Sequence, residues 1–205
     1  ACFTTPLPIP KTEPPVRAAW ADKSDAELTI EEKHLRAQKV DLAMNRKKSR
    51  EAYEKVLADD PGYGPSLRAL AILDTEAALY DCAIERLQKA VRRDPGDGLA
   101  WYFLGVNRLR THDPKEALRC ARQASLCSGA RSLAMDLAGR AHAALGEKQA
   151  AVKAFQKAAN LDPKDGIARD HLLVALYAAG DTATAFKQAQ EVVSQRPTDL
   201  TARAV

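Results

Sequence analysis

Four cysteines, four histidines and a few carboxylates are the side chains of this 205-residue chain best suited to chemistry. Cys2, Cys82, Cys120 and Cys127 form no CxxC pair, and no histidine stands at metal-ligand spacing from them. On one helix Cys120 and Cys127 would share a face yet stand about 10 Å apart, beyond disulfide reach. The expectation is buried, reduced thiols acting as small hydrophobes in a reducing compartment, hence a cytoplasmic location. His34, His112, His142 and His171 are scattered, and each reads as a structural imidazole. Asp136 and Asp170 could pair across neighbouring elements, but no third group organises them for acid–base work. The chain has no GxxxxGK[ST] loop, no HExxH and no GxSxG. No catalytic, metal or cofactor residues are therefore assigned, and the chain is not expected to be an enzyme.

Charge excludes a further class. Lys and Arg number 31 against 27 Asp and Glu, a formal net charge of +4 with the signs interspersed. A nucleic-acid binder concentrates its cations in a stripe. The nearest approach here, Arg46-Lys47-Lys48-Ser49-Arg50, reads as a solvated turn and the start of a helix. The longest apolar runs, such as Leu172 to Gly180, fall short of the roughly 18 residues of a membrane span. Hydrophobic residues at 46% and charged residues at 28% suit a folded chain, and frequent alanine with only 5% aromatics points to helices throughout.

The elements that must position these residues announce themselves by punctuation. Asp60-Pro61-Gly62, Asp94-Pro95-Gly96, Asp162-Pro163-Lys164 and Arg196-Pro197-Thr198 place prolines 34, 68 and 34 residues apart. Gly129 occupies the missing place, where a left-handed residue could end a helix. Ala83, Ala117, Ala151 and Ala185 keep the same interval, as do Ala90, Ala124 and Ala158, with Val56 and Val192 in register. A fixed period of this length signals an array of identical supersecondary units. Residues 98–131 show the unit: an apolar-periodic run through Trp101, Leu104, Gly105 and Leu109, a break at Thr111-His112-Asp113-Pro114, then a second run through Ala117, Leu118, Ala121 and Ala124. Each unit is thus two helices.

Trp101, Leu104 and Gly105 in one unit, and Ala151, Phe155, Ala158 and Pro163 in another, match the residue pattern of the tetratricopeptide repeat, which the chain resembles over residues 30–199. The resemblance implies an all-α, right-handed α-solenoid of about five 34-residue repeats: 30–63, 64–97, 98–131, 132–165 and 166–199. Departures are visible. The eleventh place of the unit, usually aromatic in the family, holds Val40, Asp74, Arg108, His142 and Leu176, so the helix pairing there must be wetter or differently arranged. The first unit has Lys33, Arg36 and Ala37 at its signature positions, and its first helix is expected to begin near Asp25, capped by Ser24 or Asp25. Ahead of it, five of the eleven prolines fall within the first fifteen residues, so residues 1–24 are expected to be an extended Pro-rich lead. Residues 200–205 begin a further helix and stop; with Ala1 opening the chain, the expectation is a fragment of a larger bacterial protein.

By the same resemblance, first helices line a concave groove and expose the second, fifth, ninth, twelfth and thirteenth positions of each unit. These include Arg68, Ile72, Glu76, Tyr102, Val106, Arg110, Asp136, Arg140, Asp170, Val174 and Tyr177. The implied function is non-catalytic binding of a protein or peptide partner in that groove, with Arg68, Ile72, Tyr102, Val106, Arg110, Asp136, Arg140, Asp170 and Tyr177 as the partner-binding residues. The carboxylate clamp of chaperone-tail binders maps onto Arg68, Ile72, Phe103, Leu133 and Leu137, of which only the first is basic, so that partner does not fit. Two alternatives stand beside the scaffold. One is an accessory helical module of a larger, carbohydrate-related bacterial protein, its groove filled by its own missing domain. The other is a periplasmic or membrane-tethered lipoprotein acylated at Cys2, suggested by Ala1-Cys2 and the proline-rich tether.

Overall fold

The computed structural model describes residues 22–195 and residue 201. The expectations for the Pro-rich lead, for Cys2 and for the final turn lie outside the described residues. Ten α-helices follow one another: α1 (Ile30–Leu42), α2 (Arg46–Asp59), α3 (Gly64–Glu76), α4 (Tyr80–Arg93), α5 (Gly98–Arg110), α6 (Pro114–Ser125), α7 (Arg131–Ala144), α8 (Lys148–Leu161), α9 (Gly166–Ala179) and α10 (Thr182–Gln195). They form five helical hairpins stacked into a right-handed α-solenoid, with no strand among the described residues.

Short polar residues start several of the helices, while α3, α4, α7 and α8 have no side-chain cap. Asn45, Asp97, Asp113 and Asp165 each accept a backbone N–H of the following first turn, and Pro114 takes the first position of α6, where no donor is needed. Between units, Asp60, Asp94 and Asp162 make the same turn, each accepting from the backbone N–H two residues on, at 3.0, 2.9 and 3.1 Å. That is the physical content of the Asp-Pro punctuation. The third junction differs. Gly129 does not adopt a left-handed conformation; it lies in a 3-10 turn, Ser128–Ala130, that fills the junction after a shortened α6. Cys127 sits in this junction, so it shares no helix with Cys120.

The periodic small residues are the core. Ala83, Ala117, Ala151 and Ala185 are buried, and so are Ala90, Ala124, Ala158, Val56 and Val192. In the first unit Ser49 replaces the first of these alanines; it is equally buried, and its hydroxyl donates to Asn45 O at 2.9 Å. Gly105 and Gly139 permit close approach: a Cβ on Gly105 would collide with Leu137 and stand 3.0 Å from Cys120 Cβ, and one on Gly139 would stand 2.6 Å from the Phe155 ring.

The start of the array corrects the sequence reading. α1 begins at Ile30, not near Asp25, because Thr29 and Glu32 form a reciprocal capping box: Thr29 Oγ1 accepts from Glu32 N, and Thr29 N donates to Glu32 Oε2. Ser24 instead closes a single turn with Glu27. Lys33, whose equivalents in the next three units are Leu67, Trp101 and Met135, and Arg36, whose equivalents are all apolar, pair outward with Asp59 and Asp25. The eleventh position is polar but dry in α3. Asp74 is buried between Arg50 Nη1 of α2 at 2.7 Å and Arg86 Nε of α4 at 2.8 Å. An ion triad there joins the helices at the place the family pattern usually gives to an aromatic ring.

Candidate functional site

First helices of successive units pack on one another, α3 on α5, α5 on α7 and α7 on α9, while second helices make no comparable contact among themselves. The stack is therefore tightest along the first helices, and they form its inner wall. All nine residues expected to bind a partner lie on these helices, Arg68 and Ile72 on α3, Tyr102, Val106 and Arg110 on α5, Asp136 and Arg140 on α7, Asp170 and Tyr177 on α9.

Their environments differ. Position five of the first four units reaches toward the next unit instead of standing free. Arg68 makes an ion pair with Asp97, the residue that also caps α5. In the first unit His34 is buried, with Nδ1 2.9 Å from Ser66 Oγ of α3. Asp136, expected on the exposed wall, is only 6% exposed, with Oδ1 2.6 Å from His171 Nδ1 of α9 and Oδ2 4.0 Å from Arg140 Nη1. The reason is geometric. α7 packs on α9, and the imidazole of His171 lies over the short Asp136 side chain. Tyr102 is half-buried; burial pushes its hydroxyl above the ordinary tyrosine range, and neighbouring Arg140 opposes part of that shift. Its ring stands edge-on to Phe103 at 5.2 Å, while the His171 ring lies tilted against Phe155 at 5.3 Å. Tyr102, Arg140, Asp136 and His171 thus run as one polar line across three first helices. A second tie joins Thr75 Oγ1 to the buried Asn107 Oδ1 at 3.0 Å, with Asn107 Nδ2 donating to Phe103 O.

What stays open to solvent is mostly apolar. Ile72 and Val106 are half-buried, while Ile167, Val174 and Tyr177 on α9 are 65%, 54% and 58% exposed. Arg110 is exposed at the C-terminal end of α5, where the helix dipole favours a cation. Asp170 is half-buried and Glu76 pairs with Arg46. The sequence singled out Asp136 and Asp170 as a pair; the structure joins Asp136 to His171 instead. A histidine one residue beyond a groove position was the available signal.

No group of three or more His, Cys, Asp or Glu among the described residues is placed to hold a metal. The thiols divide. Cys120 is buried, and burial pushes it up to about 11. Cys127 is half-buried, and Cys82, expected to be buried, is exposed because it lies on the outward face of α4. Among the described residues no helix is long and apolar enough to cross a membrane.

Stacked helical hairpins with paired first helices inside define a class, the helical-repeat scaffolds. Family models described as tetratricopeptide repeat match residues 68–125 and 132–165. The chain is a tetratricopeptide repeat protein. Solved structures agree on the fold. MamA from Desulfovibrio magneticus RS-1 matches at 20% identity with a TM-score of 0.70, covering 83% of this chain and 97% of that one. A thermophilic TPR protein of Thermus thermophilus matches at 18% identity and 0.70, covering 86% and 96%. YrrB, described as a TPR protein with an unusual peptide-binding site, matches at 18% identity and 0.65, covering 86% and 91%. At these identities the likeness concerns fold alone. Among curated protein sequences no match is found.

Proposed function

We propose that the chain is a non-catalytic scaffold whose array, spanning residues 25–199, binds a segment of a partner protein along its inner wall. The tetratricopeptide fold is in general a scaffold for protein–protein interaction. One observation carries the finer reading. Val174 and Tyr177 are solvent-open, one helical turn apart on α9, the helix whose His171 is bonded to Asp136. Anchoring residues of interfaces are of this kind, an exposed aromatic beside fixed polar groups. The peptide-binding site named for YrrB adds fold-level support.

The test compares capture of partners from source lysate by the wild-type chain and by a Val174→Glu, Tyr177→Ala variant. Both substitutions are on exposed side chains, so the melting temperature is expected to stay within a few degrees. A partner retained by the wild type and lost, by roughly tenfold or more, from the variant is the expected result. Equal retention by both would sink the inner-wall reading.

A further inference from the structure

Where the repeat pattern lapses, apolar side chains stand open beside a groove. α6 ends at Ser125 after 12 residues, whereas α4 and α8 run for 14. Leu126, the next residue, is 75% exposed; its equivalents in the neighbouring units are Arg92 and Asn160. Leu161, closing α8, is 52% exposed, and its equivalents one, two and three units earlier are Cys127, Arg93 and Asp59. Two leucines therefore stand open at places the other units mostly give to polar residues. A groove of about 460 Å³ lies beside Leu161, lined by that exposed leucine, the half-buried Met135, Arg131, Lys157, Asn160 and Ser125, the residue before Leu126.

Its surroundings are cationic. Along α6, Lys115, Arg119 and Arg122 stand at spacings of four and three, one stripe of the helix that leads to Leu126. Along α8, Lys153, Lys157 and Leu161 stand four apart in the same manner. α8 contains no acidic residue, and the one on α6, Glu116, is taken by Arg119 at 2.5 Å. Arg122, Arg131, Lys153 and Lys157 form no ion pair among the described residues. An isolated exposed leucine is ordinary; an exposed Leu161 in a groove flanked by Arg131 and Lys157, neither in an ion pair, with Leu126 next to its Ser125 edge, is complementary to something apolar and acidic.

We infer that this groove docks an acidic amphipathic segment of a partner protein, its apolar side chains seated over Met135 and Leu161 and its carboxylates facing Arg131, Lys157, Lys153 and Arg122. The volume suits two or three apolar side chains, as in helix-in-groove recognition. A bilayer fits less well, because a flat lipid surface meets the exposed Leu126 and Leu161 but not the half-buried Met135.

The test uses the full chain and a labelled helical peptide of about four turns, with leucines on one face and glutamates on the other. Fluorescence anisotropy is expected to show saturable binding that weakens with salt. A peptide with lysine for each glutamate, and one with alanine for each leucine, should bind roughly tenfold more weakly or worse. Arg131→Glu with Lys157→Glu, and separately Leu126→Ser with Leu161→Ser, should cause comparable losses. Tyr177→Ala on the inner wall should leave binding unchanged, which separates this site from the one proposed above. These variants alter exposed residues, and a thermal melt checks that each is folded. Binding lost on Tyr177→Ala but kept by Arg131→Glu/Lys157→Glu would overturn the proposal, as would indifference to peptide charge. So would a chain that ignores the acidic peptide yet sediments with phosphatidylserine vesicles through the same lysines.

Discussion

Met44, Ala78 and His112 have positive φ values of 58°, 59° and 59°, and Gly146 and Gly180 have 76° and 90°. These five residues are 34 apart, so every turn between first and second helix needs one left-handed residue at the same place. Only the last two units supply glycine. In the first three a Cβ sits where it crowds the carbonyl oxygen, a cost of roughly 1–2 kcal/mol each. Ala78 is exposed and packs on nothing that glycine would lose. Ala78→Gly is therefore expected to stabilise the chain by roughly 0.5–1 kcal/mol, the relief of strain exceeding the greater freedom of glycine in the unfolded state. Urea unfolding measures it; a lower midpoint for the variant would contradict the argument.

At the scale of elements, the array rests on how closely a first helix can approach its partner and the next unit. Gly105 of α5 faces Leu137 of α7 on one side and Cys120 of α6 on the other. The same place holds Ala37 and Ala71 in earlier units and Gly139 in the next, all buried. Gly105→Leu must push apart three helices at once, and overpacking of this kind costs about 1–3 kcal/mol. Thermal unfolding of the variant should shift down accordingly, and an unchanged transition would mean that α5 and α7 can separate freely. The Arg50–Asp74–Arg86 triad works at the same scale, since it joins helices from two units through one buried carboxylate.

For the whole molecule, stability is distributed along one dimension. Each unit touches its neighbours and little else, so the array behaves as a row of coupled segments more than as a single cooperative block. Coupling is densest from α3 to α8 and sparser for α1 with α2 and for α9 with α10. Hydrogen exchange should follow that gradient, with amides of α9 and α10 exchanging first and those of α5 to α8 last. Uniform protection along the chain would show that the polar ties, Thr75–Asn107 and Asp136–His171 among them, bind the row into one cooperative unit.

The helix pairs, their period and the alanines and glycines of the core are legible in the sequence, because small residues and Asp-Pro turns act within one hairpin and recur with it. The start of the first helix is not, because Ser24 and Thr29 are equally good caps on paper, and only the reciprocal bond with Glu32 selects Thr29. The inner wall is legible as a set of positions but not as a set of environments. Whether Asp136 meets water or His171, and whether Asp74 lies in the open or between two arginines, depends on the distance and rotation between units, which no local pattern encodes. The outer groove is hidden from the sequence for the same reason. Ser125, Met135 and Leu161 belong to three different helices, and only the stacking of unit on unit brings them together.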